Sequence, residues 1–244
     1  METRNQGRAR AWRWLAWCAP LAAAGAITTS APRANAQAYR PAAPSLSTPD
    51  RWQAAIGVRA SVVRDGGLDP FSTADALAQF SAAVVHTLRA GNGFVPALGL
   101  ATDIGSSEAT ARGADATLGT WRLAVVLEPR YVLTSGFYVG ARIAPGIVRT
   151  SATLRDASAP APLATTYWTS SVDASLGAGA RLNAGGGPIG LWLICDAGYG
   201  WAPKHSLTLA PELPARDASK AGSTDLGSLS QRGMFARVSL AVSY

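Results

Sequence analysis

The sequence predicts an all-β protein, a single eight-stranded antiparallel up-and-down transmembrane β-barrel. Three observations predict this class. Large apolar side chains recur at every second position from Trp52 onward, the connections are short and long in turn, and the charged residues of the alternating segments keep to one face. Only 15% of the 244 residues are charged and 48% are apolar, which disfavours both a charge-coated soluble domain and a disordered chain.

The first 36 residues have the parts of a secretory signal peptide. Four arginines form a basic front, a short apolar stretch follows, and the small residues Ala34-Asn35-Ala36 precede Gln37. We therefore expect cleavage near Ala36-Gln37, followed by a flexible periplasmic leader over 37–51 and a barrel over 52–244. Cys18 would suit a lipid-attachment signal, but the bulky Trp17 stands where such signals need a small residue.

The remaining composition excludes several function classes. Removal of residues 1–36 leaves 17 basic and 14 acidic residues, a net charge of +3. Only Lys204 and Lys220 are lysines, and no basic cluster points to nucleic acid. Two cysteines in the whole chain are too few for a disulfide framework or a structural zinc site.

Period-two alternation identifies eight candidate strands. The clearest is the fourth, where Trp121, Leu123 and Val125 alternate with Arg122 and Ala124. The predicted strands are 52–63, 80–89, 93–104, 121–133, 137–148, 168–183, 188–201 and 234–244. Short turns are predicted at 90–92, 134–136 and 184–187, and long polar loops at 64–79, 105–120, 149–167 and 202–233. The last strand can pair with the first and leave no open edge.

The charges indicate which face of the barrel points inward. Eleven charged residues lie in the predicted strands, and all share the parity opposite to the large apolar side chains, which chance would produce about once in a thousand cases. They are Arg59, Arg89, Asp103, Arg122, Glu128, Arg130, Arg142, Asp173, Arg181, Asp196 and Arg237. They are sparse, mixed in sign and accompanied by glycines, as a narrow interior requires, so the apolar face is predicted to meet lipid. A soluble lipocalin-like barrel with the opposite polarity is the alternative.

Aromatic residues at both ends of the apolar face support the membrane prediction. Amphipathic rings collect at the two membrane–water interfaces, so we expect two girdles. The girdle at the short-turn end would contain Trp52, Phe94, Tyr131, Phe137 and Tyr244. The girdle at the long-loop end would contain Phe80, Trp121, Trp168, Tyr199 and Trp201.

The last strand also resembles a known signal. Residues 234–244 read MFARVSLAVSY, with a terminal aromatic residue and apolar residues at every second place before it. This pattern resembles the closing strand of bacterial outer-membrane β-barrels, and the short-turn, long-loop plan resembles their small eight-stranded members of OmpA-like and OmpX-like architecture. The resemblance covers 52–244 and is architectural. It implies that outer-membrane lipids surround the chain and that the barrel-assembly machinery reads the strand 234–244.

An eight-stranded barrel is only wide enough for side chains to fill its lumen, and ion pairs are the expected filling. With Leu133 opposite Phe137, Glu128 faces Arg142 directly and Arg130 is a diagonal neighbour on the same face. We therefore expect Glu128→Ala to leave Arg142 without an ion-pair partner and to destabilise the barrel by roughly 3 kcal/mol.

A second lumen pair is predicted on the sixth and seventh strands. With Asn183 opposite Pro188, Asp173 faces Gly198 and lies two residues from Asp196. Two like charges at that spacing need an arginine between them, and Arg59, Arg122 and Arg237 are the candidates. A hydrolase dyad of the two carboxylates is the alternative.

Two histidines are candidates for chemistry. His86 lies on the apolar face beside Thr87, which points into the lumen, and we expect an interfacial imidazole there. His205 and Ser206, followed by Glu212 and Asp217, could assemble a triad, but any polar loop of this length contains such residues. We predict no catalytic residues, no metal site and no cofactor.

Together these observations predict a non-enzymatic outer-membrane protein with a largely closed, ion-paired lumen. It would serve envelope structure or surface interaction, and a surface ligand would contact the loops 64–79, 105–120, 149–167 and 202–233. A lipid-modifying enzyme and a narrow pore are the alternatives.

Overall fold

The computed structural model describes residues 51–72, 74–88, 92–111, 114–156, 161–183, 189–211 and 223–244. The predicted signal peptide, residues 37–50 of the predicted leader, Arg89, Glu212 and Asp217 lie outside these ranges. The predictions made for them stay predictions. Within the described ranges, no helix is both long and apolar enough to span a bilayer.

Ten β-strands run through the described residues, and eight of them form the barrel wall. The wall consists of β1 (Trp52–Val63), β2 (Ala76–Thr87), β3 (Phe94–Ala111), β4 (Ala114–Thr134), β5 (Phe137–Asp156), β6 (Leu163–Arg181), β7 (Gly190–Trp201) and β10 (Gly233–Ser243). The other two, β8 (His205–Pro211) and β9 (Thr224–Leu229), form a hairpin between β7 and β10. A single 3-10 turn, Gly66–Leu68, lies between β1 and β2.

The eight wall strands form a closed antiparallel ring. Each pairs with its sequence neighbour from β1 to β7, β10 pairs with β7, and β10 also pairs with β1 over eleven residue pairs from Gln53↔Ser243 to Val63↔Gly233. The backbones of Trp52 and Tyr244 exchange hydrogen bonds of 3.1 and 3.0 Å at the end of this seam. The predicted fold class, an eight-stranded up-and-down barrel closed by its last strand, is confirmed.

Two of the predicted loops are wrong. Most of 105–120 and 149–167 is strand, because β3 and β4 continue to Ala111 and from Ala114, while β5 and β6 continue to Asp156 and from Leu163. The period of two persists there, but its polarity reverses. Ala116 and Leu118 are buried inward, whereas Asp115 is exposed. The outer face of a strand that extends beyond the bilayer meets water and therefore carries polar residues. These segments lack the outward apolar residues from which the wall strands were predicted, so they were predicted to be loops.

The predicted loop 202–233 also contains regular structure. The β8–β9 hairpin attaches to the barrel where Leu163 pairs with Pro211 and Ala164 with Ala210. Its leucines join the 3-10 segment and the inward residues of the extended wall strands in one buried cluster, which we call the apolar cap. The cap consists of Val63, Leu68, Phe71, Ala116, Leu118, Ala152, Tyr167, Leu207, Leu209 and Leu229. It closes the long-loop end of the barrel.

Candidate functional site

The outer face of the barrel is apolar, as a lipid-facing wall requires. Leu176, 72% exposed, is the extreme case. All ten residues of the two predicted girdles lie on this face and are exposed. The rings of Trp52 and His86 are 4.6 Å apart at the short-turn end, and those of Trp121 and Trp168 are 5.6 Å apart at the other end. Aromatic belts of this kind are typical of barrels at two membrane–water interfaces.

The inner face carries the charges. Arg142 and Arg181 are half-buried, and eight of the eleven charged residues are buried in the lumen. These eight are Arg59, Asp103, Arg122, Glu128, Arg130, Asp173, Asp196 and Arg237. Charges of both signs in so narrow a space need partners, because a buried ion without one costs several kcal/mol.

Four of these residues form what we call the outer charge cluster, which lies below the apolar cap. Arg59 Nη1 donates to Asp103 Oδ2 at 3.0 Å and to Asp173 Oδ2 at 2.5 Å. Arg122 Nη1 donates to Asp103 Oδ2 at 3.1 Å and forms an ion pair with Asp173 Oδ2 at 2.9 Å. The four residues come from β1, β3, β4 and β6, so the cluster crosses the lumen and ties opposite walls together.

Neighbouring polar groups complete the outer charge cluster. Arg122 Nε donates to Ser171 Oγ at 3.1 Å, and its Nη2 donates to the Ala144 carbonyl. Arg59 Nε donates to Ser61 Oγ at 3.0 Å, and its guanidinium lies 4.0 Å from the centroid of the Phe235 ring. Neither arginine has a buried side-chain nitrogen left without a hydrogen bond, as the five donors of a buried guanidinium require.

The predicted Glu128–Arg142 ion pair is wrong, although the two residues lie opposite each other as predicted. The predicted pairing of Leu133 with Phe137 is also wrong, because Phe137 pairs with Thr134 beyond a bulge between Val132 and Thr134. Leu127 lies opposite Ile143 and Arg130 opposite Gly140, so Glu128 and Arg142 do face each other. The Glu128 carboxylate nevertheless accepts from Arg130 Nε at 2.8 Å, two residues further along the same strand and on the same face. The Arg130 guanidinium also lies 4.7 Å from the centroid of the Tyr138 ring, which holds it beside Glu128.

The predicted Asp173–Asp196 pair is also wrong. Asp173 lies opposite Gly200, and Asp196 lies opposite Gly177, so the two carboxylates are four residues apart along the sheet. The register is offset by two residues because Leu182 N donates to the carbonyl of Leu191, which leaves a longer turn than Asn183 opposite Pro188 would allow. The dyad geometry is absent: Asp173 belongs to the outer charge cluster and Asp196 does not.

Asp196 belongs to a second group, nearer the short turns, which we call the inner charge cluster. It consists of Glu128, Arg130, Arg142, Asp196 and Arg237, and its members line one cavity together with Tyr138. Arg237 lies directly opposite Asp196 across the β7–β10 pair and opposite Arg59 across the seam. Of the three predicted arginines, Arg59 and Arg122 hold Asp173, and Arg237 is the cross-strand neighbour of Asp196.

Neither histidine is held in a catalytic arrangement. His86 is half-buried against Trp52, and Thr87 is buried in the lumen, as predicted. The His205 ring stacks on Tyr167 with centroids 4.0 Å apart, and its Nδ1 donates to the Ser206 carbonyl at 2.9 Å. Burial raises the pKa of the Tyr167 hydroxyl, so this neighbour stays protonated. Among the described residues, no group of three or more His, Cys, Asp or Glu side chains could hold a metal ion.

Sequence reasoning did not give a role to three lumen residues. Asp103 is completely buried and accepts from both arginines of the outer charge cluster. Phe235 and Tyr138 are buried inside the barrel and lie against arginines. Their parity was the available signal, since Phe235 shares a face with Arg237, but aromatic residues were expected only on the lipid side.

A closed antiparallel ring with an apolar exterior and a charged, filled interior defines a transmembrane β-barrel. No protein-family model matches the chain, and no curated protein matches it.

Among solved structures, a major outer membrane protein from Thermus thermophilus is similar at 12% identity and a TM-score of 0.46, over 79% of this chain and 98% of that one. The outer membrane protease OmpT of Escherichia coli is similar at 9% identity and a TM-score of 0.45, over 80% of this chain and 97% of that one. Ail of Yersinia pestis, in complex with a heparin analogue, is similar at 12% identity and a TM-score of 0.42, over 79% and 96%. Similarities at this level establish nothing about activity, and the fold assignment rests on the closed strand register.

Proposed function

We propose that this chain is a non-enzymatic protein of the bacterial outer membrane, whose closed barrel holds rigid hairpins at the cell surface for interaction with other molecules. The observation that carries the proposal is that β3 to β6 extend beyond the aromatic girdle at the long-loop end. Below these extensions the lumen is closed at two levels, by the outer charge cluster and by the apolar cap. A pore needs a lumen that is open to solvent, and an enzyme needs a site that its substrate can reach. In this barrel the surface exposed beyond the girdle is the outer face of the hairpins.

The two closures argue against a pore. The outer charge cluster spans the lumen with its side chains, and the apolar cap covers it at the long-loop end. An eight-stranded barrel has no spare width for a water channel once its interior side chains meet. We expect no discrete conductance steps from the purified protein in planar bilayers.

The projecting hairpins present a polar surface suited to a polar macromolecular ligand. Glu108, Asp115 and Arg155 are exposed there. Asp115 lies opposite Arg155 across the β4–β5 pair, and its Oδ1 accepts from Thr110 Oγ1 at 2.7 Å. Continuous strand pairing up to Ala111↔Ala114 keeps these groups in one geometry, so little conformational entropy is lost when a ligand binds.

The experiment displays the full chain on a Gram-negative host and measures attachment of the cells to glycan arrays and to protein-coated wells. We expect attachment above that of the empty host, and its loss in the triple variant Glu108→Ala, Asp115→Ala, Arg155→Ala. Arg51→Ala, an exposed charge at the opposite end of the barrel, is the matched control and should leave attachment unchanged. Equal attachment by displaying and empty hosts would reject the surface role and leave envelope structure alone.

The absence of lipid chemistry is part of this proposal. His86 is engaged by Trp52 and His205 by Tyr167, and no described carboxylate hydrogen-bonds to either imidazole. Incubation of the pure protein with phospholipid and lipopolysaccharide vesicles should yield no new lipid species by mass spectrometry. Turnover that disappears in His86→Ala or His205→Ala would overturn this part of the proposal.

A further inference from the structure

The inner charge cluster surrounds a small cavity in the half of the lumen nearest the short turns. Gln53, Tyr138, Arg142, Asp196 and Arg237 line it. The centres of water molecules have about 30 Å³ available there, and one water needs roughly 10–15 Å³ on that scale. The cavity therefore has room for about two water-sized particles, and not for a lipid chain or a sugar.

The polar atoms that line this cavity are mostly donors. Arg142 Nε and Nη2, Arg237 Nε and Nη1, and the Tyr138 hydroxyl are buried and make no hydrogen bond within the described part of the chain. The acceptors without a hydrogen bond are Asp196 Oδ1 and Gln53 Oε1 in the cavity lining, and Asp103 Oδ1, whose carboxylate interacts with Arg237 from outside the lining. A guanidinium can only donate, so the two arginines cannot satisfy each other. The cavity thus offers more donors than the protein's own acceptors can meet.

The inner charge cluster also carries an excess of positive charge. Glu128 is neutralised by Arg130 at 2.8 Å. Arg142 and Arg237 then face the carboxylate of Asp196, and Arg237 also lies near Asp103 of the outer charge cluster. Over both clusters, five arginines and four carboxylates leave one positive charge. In the outer charge cluster, by contrast, two arginines and two aspartates balance. A buried positive charge attracts an anion strongly, because little water is present to screen it.

We propose that this cavity is a binding site for a monovalent inorganic anion of halide size, held between Arg142 and Arg237 with the Tyr138 hydroxyl as a further donor. A halide and one water match the space, the donor excess and the single uncompensated charge together. A phosphate or sulfate ion carries more negative charge than the single uncompensated positive charge can balance. This site is independent of any ligand at the cell surface.

The test uses the full chain folded in detergent micelles, with thermal unfolding followed in sodium chloride and in sodium gluconate at equal ionic strength. A bound anion stabilises the folded state in proportion to the logarithm of its concentration above Kd. We expect the midpoint to rise by several degrees in chloride, saturably, and to stay constant in gluconate. Equal midpoints in the two salts would overturn the proposal and assign the cavity to water.

The matched variants are Arg142→Gln and Arg149→Gln, which remove the same charge. Arg142 lines the cavity, whereas Arg149 is exposed on the outer face of β5. The chloride dependence should vanish in Arg142→Gln and persist in Arg149→Gln. Persistence in both variants would contradict the site.

A second measurement does not depend on the variants folding. Crystals of the unaltered chain grown in sodium bromide should show an anomalous scattering peak between the Arg142 and Arg237 guanidinium groups. A bromide peak there establishes the site, and a cavity without anomalous signal at saturating bromide overturns it.

Discussion

At the scale of single residues, the lumen shows why buried charges in a narrow barrel must be treated as groups. Asp103 accepts from arginines on two other strands, and Arg59 and Arg122 each reach two aspartates. Removing one member of the group therefore leaves other buried charges without an ion-pair partner. Gly200 makes room for the group, since a Cβ on it would lie 2.8 Å from Asp173 Oδ1.

We expect Asp103→Ala to lower the free energy of unfolding by roughly 3–5 kcal/mol, because it leaves two buried guanidinium groups short of an acceptor. Urea-induced unfolding in lipid vesicles, followed by tryptophan fluorescence, measures this loss. Glu108→Ala, which removes an exposed carboxylate from the same strand, is the control and should change little. A midpoint for Asp103→Ala equal to that of the unaltered chain would contradict the bridging role.

A double-mutant cycle separates the two possible partners of Glu128. We expect a coupling free energy of roughly 1–3 kcal/mol between Glu128→Gln and Arg130→Gln, and a smaller one between Glu128→Gln and Arg142→Gln. The reason is the 2.8 Å hydrogen bond to Arg130, which Arg142 lacks. The same urea titration supplies all the values. A larger coupling to Arg142 would restore the cross-strand pair that the register alone suggests.

At the scale of elements, the polarity of a strand changes along its length while its period stays at two. β4 carries Arg122, Glu128 and Arg130 inward where lipid surrounds the barrel, and Ala116 and Leu118 inward beyond it. The same reversal lets the β8–β9 hairpin fold on the barrel, since its leucines find an apolar surface there. The cap is therefore a small soluble-type core on top of a membrane-type wall.

We expect Leu207→Ser to loosen the cap without opening the barrel. Leu207 is completely buried, and its loss costs roughly 3 kcal/mol through an unfilled cavity. Trypsin, which can cut at Lys204 and Arg232 on either side of the hairpin, should then cleave the protein in vesicles faster. Thr208→Ala, an exposed neighbour, should leave the cleavage rate unchanged. An unchanged rate in Leu207→Ser would show that the cap does not depend on this contact.

At the scale of the whole molecule, the seam between β1 and β10 turns a curved sheet into a barrel. Eleven residue pairs join the first and last wall strands, which are the most distant in sequence. Closure leaves the wall without an unpaired edge inside the bilayer, where each unsatisfied backbone group costs several kcal/mol. The cost of forming so distant a contact is offset by pairing along the whole length of the seam.

We expect the unboiled protein to run compactly on SDS gels and to shift on boiling, since a closed ring of hydrogen bonds resists cold detergent. Gly57→Ala should weaken that shift, because a Cβ there would clash with the Val238 carbonyl oxygen across the seam. Gly66→Ala is the control, as its Cβ would meet nothing within 4 Å. A full shift in Gly57→Ala would show that the seam tolerates the added atom.

The sequence by itself determined the number of wall strands, their order, the inward face of the charges and the lipid-facing position of the aromatic residues. These follow from the period of two, which forces alternate side chains to opposite faces whatever the neighbouring strands do. The predicted β4–β5 register agreed with the structure from Val132↔Tyr138 onward, but not at the turn, where a bulge pairs Phe137 with Thr134.

Only the tertiary structure decided which charges meet. The partners of Asp103 and Asp173 come from strands that are far apart in the chain. Glu128 could reach either Arg130 or Arg142, and the local side-chain geometry places it against Arg130. The offset between β6 and β7 depended on a turn whose length no alternation reveals, and the cap required surfaces from several separate segments. Periodicity determines the face of each residue, but contacts across a lumen depend on register, side-chain reach and the third dimension.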